Sequence, residues 1–218
     1  MEAVLWYTAF EGLDAITRRV TVTNRGAAPC TVKRLFSASL DFPREGYDLV
    51  QLCGGWADER HVERRPLSRA VTCVQSGRGI SSHEHNPLIA LCSPDATEYS
   101  GDVYGFNLVY SGSFAAVAEV DNQPSVRVLM GLNPENFSWR LEPGERFETP
   151  EAVLVYLNRF SKNGQWTKRP LCRKIDLYRG CSYVQEQIHT SASVRGRNTG
   201  YAGDGIDTAR DSRAAWIE

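Results

Sequence analysis

No stretch of this 218-residue chain approaches the ~20 consecutive apolar residues that a membrane-spanning helix needs. The N-terminus, Met1-Glu2-Ala3-Val4-Leu5-Trp6, lacks the basic segment and apolar core of a secretory signal. Together these lead to the expectation of a cytoplasmic chain that does not engage a membrane. The net charge is only −1, so no global field attracts nucleic acid or an anionic surface. None of the six cysteines forms a C-x-x-C pair, which removes the strongest zinc and redox signals. Cys30, Cys53, Cys73, Cys92, Cys172 and Cys181 then read as reduced thiols, most of them small core hydrophobes. No region sustains the i, i+3, i+4, i+7 apolar period of a capped helix. There is no internal repeat and no Walker motif.

What remains is a β pattern. Ile16, Val20 and Val22 alternate with Thr17, Arg19, Thr21 and Thr23, the period-2 signature of a half-buried strand. Asn24-Arg25-Gly26 follows as a turn, and Cys30 to Leu40 reads as the returning strand, so 14–40 predicts a hairpin. Further strands are read at 3–10, 48–53, 103–111, 114–121, 125–132 and 146–156. Turn residues separate several of them: Asp121-Asn122-Gln123-Pro124, Asn133-Pro134 and Pro143-Gly144-Glu145. Many short strands with such spacing predict an all-β antiparallel sandwich over residues 1–156.

Residues 157–218 differ. They hold 11 of the 25 Lys+Arg and 6 of the 26 Asp+Glu, a net +5, against −6 for the first 156. From Ser191 to Asp211 few large apolar side chains occur, too few to offset the entropy of ordering. An irregular, poorly packed C-terminal tail is expected there.

The densest polar segment is Arg78-Gly79-Ile80-Ser81-Ser82-His83-Glu84-His85-Asn86-Pro87. By itself it predicts a structured loop between strands, where binding chemistry usually sits. It also carries a resemblance. Arg78 to Pro87 resembles R-R-G-x-S-S-H-Q-H-N-P. Gly54 to Arg60 resembles G-A-W-x-R-E-R, and Val103 to Gly112 resembles V-Y-G-F-x-L-V-Y-S-G. Asn133 to Glu145 and Thr149 to Tyr156 resemble N-P-x-x-F-x-W-x-L-x-P-G-E and T-P-E-A-V-L-x-Y. These blocks recur in this order in the N-terminal β-sandwich of bacterial α-galactosidases of glycoside hydrolase family 36. The resemblance ends at Tyr156.

The resemblance implies part of a galactose-mutarotase-like supersandwich. In the family this domain precedes a (β/α)₈ barrel whose two aspartates perform retaining hydrolysis of terminal α-linked galactose, as in raffinose and melibiose. The barrel's K-W-D-x-N-R type motif is absent here. A barrel of about 250 residues does not fit after the sandwich either. No catalytic residue, cofactor or metal is therefore expected in this chain. It reads as a fragment truncated at both ends, inactive alone, with a galactoside as ligand of the intact enzyme. Sandwich-mediated homo-oligomers are also implied. A shifted reading frame after codon 156 is the expected cause of the abrupt change. Translating the other two frames checks it, since neither recovering a barrel-like continuation would refute it.

Several residues carry two readings. Trp56 beside Gly54-Gly55 is either a core Trp or a flat apolar wall for a sugar ring with an indole N–H donor. The resemblance favours the wall, shared with the barrel. Asp58 stands where the family pattern has Arg, reversing a charge beside the pocket. His83 and His85 are either a metal or catalytic pair, or loop-fixing hydrogen-bonders, and the second is expected. With Arg78, Ser82 and Asn86 they are expected near the sandwich–barrel interface. Glu59, Arg60, Glu63, Arg64 and Arg65 read as a solvated run with weak surface pairs, or as a domain contact. Their mixed signs argue against nucleic acid. Asp204 and Asp207 cannot be a glycosidase pair, because retention needs rigid carboxylates about 5 Å apart. Arg195-Gly196-Arg197 is too short to imply RNA binding. Besides the enzyme fragment, a free-standing carbohydrate-binding module remains open.

Overall fold

Strands build every described regular element. The structure, a computed structural model, describes residues 1–158 except 11–13, 98–99, 123 and 136, together with the backbone of 215–217. Its strands are β1 (Glu2–Ala9), β2 (Ala15–Thr23), β3 (Cys30–Phe42), β4 (Asp48–Gly55), β5 (Asp58–Pro66), β6 (Val71–Ser76) and β7 (His85–Cys92). Then come β8 (Asp102–Leu108), β9 (Phe114–Val120), β10 (Val126–Leu132), β11 (Trp139–Leu141), β12 (Arg146–Glu148), β13 (Ala152–Asn158) and β14 (Ala215–Ile217). No helix occurs among the described residues.

Two antiparallel sheets face each other, as the alternation predicts. One runs β1-β2-β13-β8-β7-β4-β5, with β12 also on β2. The other runs β11-β3-β10-β9-β6, with β14 on β3. Leu49, Ile89, Leu91, Phe106, Leu108 and Ala152 from the first meet Phe42, Val74, Phe114, Val128 and Met130 from the second in one buried cluster. A second cluster joins Val20 and Val22 to Val32, Leu35 and Leu141. Every one of these strands is apolar on the face it turns to the other sheet, so burial of that face holds the layers together.

The predicted 14–40 hairpin is overturned. β2 pairs β1, β12 and β13, whereas β3 pairs β10 and β11 in the other sheet. The turn is real but redirects the chain. Asn24 is buried; its Oδ1 accepts from the Gly26 N–H at 3.0 Å. Its Nδ2 donates to the Ala28 carbonyl at 2.9 Å and to Leu141 at 3.0 Å. The Leu141 bond anchors the turn across the layers, which local pattern cannot reveal. Thr17 and Thr21 are also buried, so β2 is covered on both faces rather than half-buried.

Strand limits shift for similar reasons. The stretch read as one strand over 146–156 splits into β12 and β13 around Thr149-Pro150, where Thr149 Oγ1 accepts from the Val20 N–H at 3.0 Å. β7 begins at His85, so the polar segment is a loop only up to Glu84. The tail expectation for 157–218, including Asp204, Asp207 and the Arg195–Arg197 cluster, lies outside the described residues apart from β13's end and β14.

Arg64 is more than part of a solvated run. Its guanidinium donates to Asp48 Oδ2 at 2.7 Å and to the carbonyls of Ala96 (2.7 Å), Ser93 (2.9 Å) and Pro94 (3.0 Å). That fork ties the edge strand β5 to the loop after β7. Arg64→Ala is expected to cost about 1–3 kcal/mol, the value of charge-assisted bonds lost with their carbonyls left short. Arg64→Lys recovers less than half, because an ammonium cannot span the fork. Urea unfolding of the three proteins checks both values.

Candidate functional site

The β4–β5 hairpin lies at one edge of the larger sheet. Its tip is Trp56-Ala57, and Trp56 is 88% exposed. The core reading of this Trp is therefore wrong. Ala57 has φ 61° and Arg60 has φ 62°, left-handed conformations that cost a residue with a Cβ about 1–2 kcal/mol. Strain held at an exposed aromatic tip is a pointer toward function.

Gly54 makes the tip possible. A Cβ there would lie 2.4 Å from the Asp58 carbonyl oxygen and 2.8 Å from the Glu59 Cα. The two strands approach too closely for any side chain at that position.

The polar loop packs beside the hairpin. The Gly54 N–H donates to the Glu84 carbonyl at 3.2 Å. Two further bonds fix the loop to the β8–β9 connection: Ser81 N–H to the Ser111 carbonyl at 2.8 Å, and Gly79 N–H to Ser113 Oγ at 2.8 Å. Arg78 pairs with Glu84 at 3.0 Å. Ser82 Oγ accepts from the His85 N–H at 3.4 Å. Arg78, Ser82, His83, His85 and Asn86 are thus brought together with the hairpin carrying Trp56, though no direct contact of theirs with the indole is seen.

Their roles differ from the expectation in one respect. No ring hydrogen bond of His83 or His85 fixes the loop among the described residues. Backbone groups and Ser82 do that work, and both imidazoles are exposed. The buried Oδ1 of Asn86 has no hydrogen-bond donor, which marks a polar group awaiting a partner. Asp58 Oδ1 meets His61 Nε2, so the reversed charge finds a local partner on its own strand. The sequence pattern gives no signal for His61, and Cys53 is one of six thiols expected mostly in the core. Yet Cys53 is only half-buried. Only the strand register makes these two neighbours.

Far from this tip, an apolar groove of about 450 Å³ opens between the sheets, lined by Ile16, Leu40, Phe42, Tyr104, Leu154 and Tyr156 among others. Burial raises the Tyr104 phenol above its ordinary range, with Tyr47, Tyr156 and Asp102 adding to the shift. None of the candidate site residues Trp56, Arg78, Ser82, His83, His85 and Asn86 lines this groove.

The family model for the glycosyl hydrolase family 36 N-terminal domain matches residues 1–142. The chain belongs to that family. This family 36 domain is 49% identical over 156 residues to α-galactosidase AgaA of Geobacillus stearothermophilus, covering 72% of the chain and 21% of AgaA. It is 47% identical over 162 residues to α-galactosidase C of Emericella nidulans, covering 74% and 21%. A crystal structure of an AgaA variant in complex with raffinose superimposes with a TM-score of 0.71 at 48% identity, covering 72% of this chain and 22% of that one. The α-galactosidase of Lactobacillus brevis gives 0.70 at 42% identity, covering 72% and 21%. The family 36 domain described here therefore spans about a fifth of the length of these relatives.

Proposed function

We propose that this chain is a sandwich portion of an α-galactosidase, and that it serves the enzyme by holding Trp56 as one wall of a galactoside site. The single observation that carries this reading is the hairpin tip. An 88% exposed indole on a strained turn contributes nothing to the fold that carries it. A flat apolar face with an N–H donor suits the C–H face of a pyranose and one hydroxyl. The relatives named above are α-galactosidases, one of them crystallised with raffinose.

Chemistry in this reading belongs to a (β/α)₈ barrel with two aspartates, and the chain alone does not hydrolyse galactosides. The described residues offer no helix from which a barrel could be built. Arg78, Ser82, His83, His85 and Asn86 brace the hairpin and meet the barrel, the free Oδ1 of Asn86 finding its donor there.

Titrating the chain with galactose and raffinose, while following Trp fluorescence and sugar release, tests this directly. Neither signal is expected from a folded sample. Release of galactose overturns the assignment of chemistry to the barrel. Saturable quenching without release favours a self-sufficient carbohydrate-binding module, the reading that full exposure of Trp56 also permits. Trp56→Ala is expected to leave unfolding free energy within about 0.5 kcal/mol, since it removes almost no buried surface. In a chimera that grafts this sandwich segment into AgaA, the same change is expected to lower kcat/KM for raffinose at least tenfold, about 1.4 kcal/mol. Unchanged kcat/KM removes Trp56 from the site.

A further inference from the structure

One extra residue in β5 changes where a carboxylate points. β4 runs from Cys53 to Gly55 in two steps, while β5 covers the matching stretch from His61 to Asp58 in three. Such a bulge bends its strand and re-aims a side chain, and bulges are over-represented beside active sites. Side chains three apart on a regular strand stand on opposite faces. Here the left-handed Arg60, φ 62°, sits within the bulge. Asp58 and His61 return to one face, where Asp58 Oδ1 meets His61 Nε2.

Stability does not account for this arrangement. A left-handed backbone is disfavoured for any residue with a Cβ, and an exposed ion pair returns little. The Asp58 side chain is 76% exposed and that of His61 55%. What the pair gains is direction. The imidazole holds one carboxylate oxygen, which leaves Oδ2 open to an external donor. Asp58 also lies directly opposite Gly55, the residue before Trp56. Paired Cα atoms in such a ladder are about 4.5–5.5 Å apart, so the carboxylate flanks the turn that presents the exposed indole.

Resting on the reading of Trp56 as a galactoside wall, we propose that Asp58 is a substrate-binding residue of the same site. Its Oδ2 accepts hydrogen bonds from hydroxyls of the sugar that lies on the indole, and His61 is the positioning residue that holds the carboxylate. An ionised carboxylate only accepts, and hydrogen bonds to it are roughly twice as strong as neutral ones. The aromatic face takes the C–H side of a pyranose, and an acceptor at its edge takes hydroxyls around the ring. Trp56 and Asp58 thus divide one ligand between them.

The test is steady-state kinetics of the AgaA chimera carrying this sandwich segment, with raffinose and with 4-nitrophenyl α-galactoside. D58A is expected to lower kcat/KM for raffinose about tenfold or more, the loss typical of a hydrogen bond to a charged group. D58N should lose less, because its amide oxygen still accepts. E59Q removes a charge one residue away and should change nothing; a loss equal to that of D58N would show a field effect and overturn the proposal. The W56A/D58A double variant should lose less than the product of the two single losses, because both act on one sugar. A full product overturns the shared site. H61A should lose less than D58A and add nothing in the D58A background; an added loss there removes His61 from the positioning role. Loss on both substrates puts the hydroxyls on galactose, and loss on raffinose alone puts them on the sugars linked to it. Loss in W56A with none in D58A overturns this proposal and leaves the Trp56 reading standing. No loss in W56A overturns that reading, and this proposal with it. Urea unfolding of each chimera should be unchanged, since both side chains are exposed. D58N, nearly isosteric, carries the test if D58A folds poorly.

Discussion

Phe106→Ala is expected to destabilise the domain by about 3–5 kcal/mol. Phe106 is buried on β8, flanked within its sheet by Ile89 of β7 and Leu154 of β13. Its ring crosses to the other layer and meets Phe42 edge-on, 6.0 Å between centroids. Truncation removes the transfer free energy of the ring and leaves a void that strands on both sides hold open. Domains of this kind have only about 5–15 kcal/mol in total, so roughly a fifth or more of the stability goes. Each kcal/mol lowers Tm by roughly 2–4 °C at this size, which predicts a fall of roughly 6–20 °C. Phe106→Leu, which keeps most of the volume, should cost less than about 1.5 kcal/mol. Urea unfolding followed by circular dichroism measures all three. A loss below about 1 kcal/mol for alanine would show that the ring does not span the layers.

Gly54→Val is expected to separate the tip of the hairpin from its base. The atoms a Cβ would strike are the Asp58 oxygen, the Glu59 Cα and the Arg60 nitrogen, all of them backbone. No side chain can swing away, so β5 must move. Overpacking of this kind costs about 1–3 kcal/mol. The functional cost is larger, because a displacement of about 1 Å can cost about 100-fold in rate where positioning matters. In the AgaA chimera, raffinose turnover should fall by about that factor while the chain still folds. Gly55→Ala is the control: nothing lies within 4 Å of a Cβ there, and stability should hold. If both variants behave alike, close strand approach is not what positions Trp56.

Some of this was legible locally. Alternation along residues 16–22 announces a strand because the side-chain period of a strand is two. The motif blocks around Trp56 and Arg78–Pro87 single out the hairpin and its supporting loop. The 14–40 hairpin fails because Asn24 bonds Leu141, more than a hundred residues away. Arg64 looks like surface charge because its three carbonyl partners come from a loop some thirty residues later. Asp58 and His61 look like opposite faces of one strand until the shift in register brings them together.

The sequence by itself determined the all-β class, the absence of helical periodicity, and the few residues able to bind or do chemistry, because these depend on composition and short-range pattern. The tertiary structure decided which sheet each strand joins and that Trp56 faces solvent. It also brought Asp58 onto His61. Those outcomes depend on which strands pair. Pairing is fixed by burial of the inner faces and by long-range hydrogen bonds, and no window of sequence contains both partners.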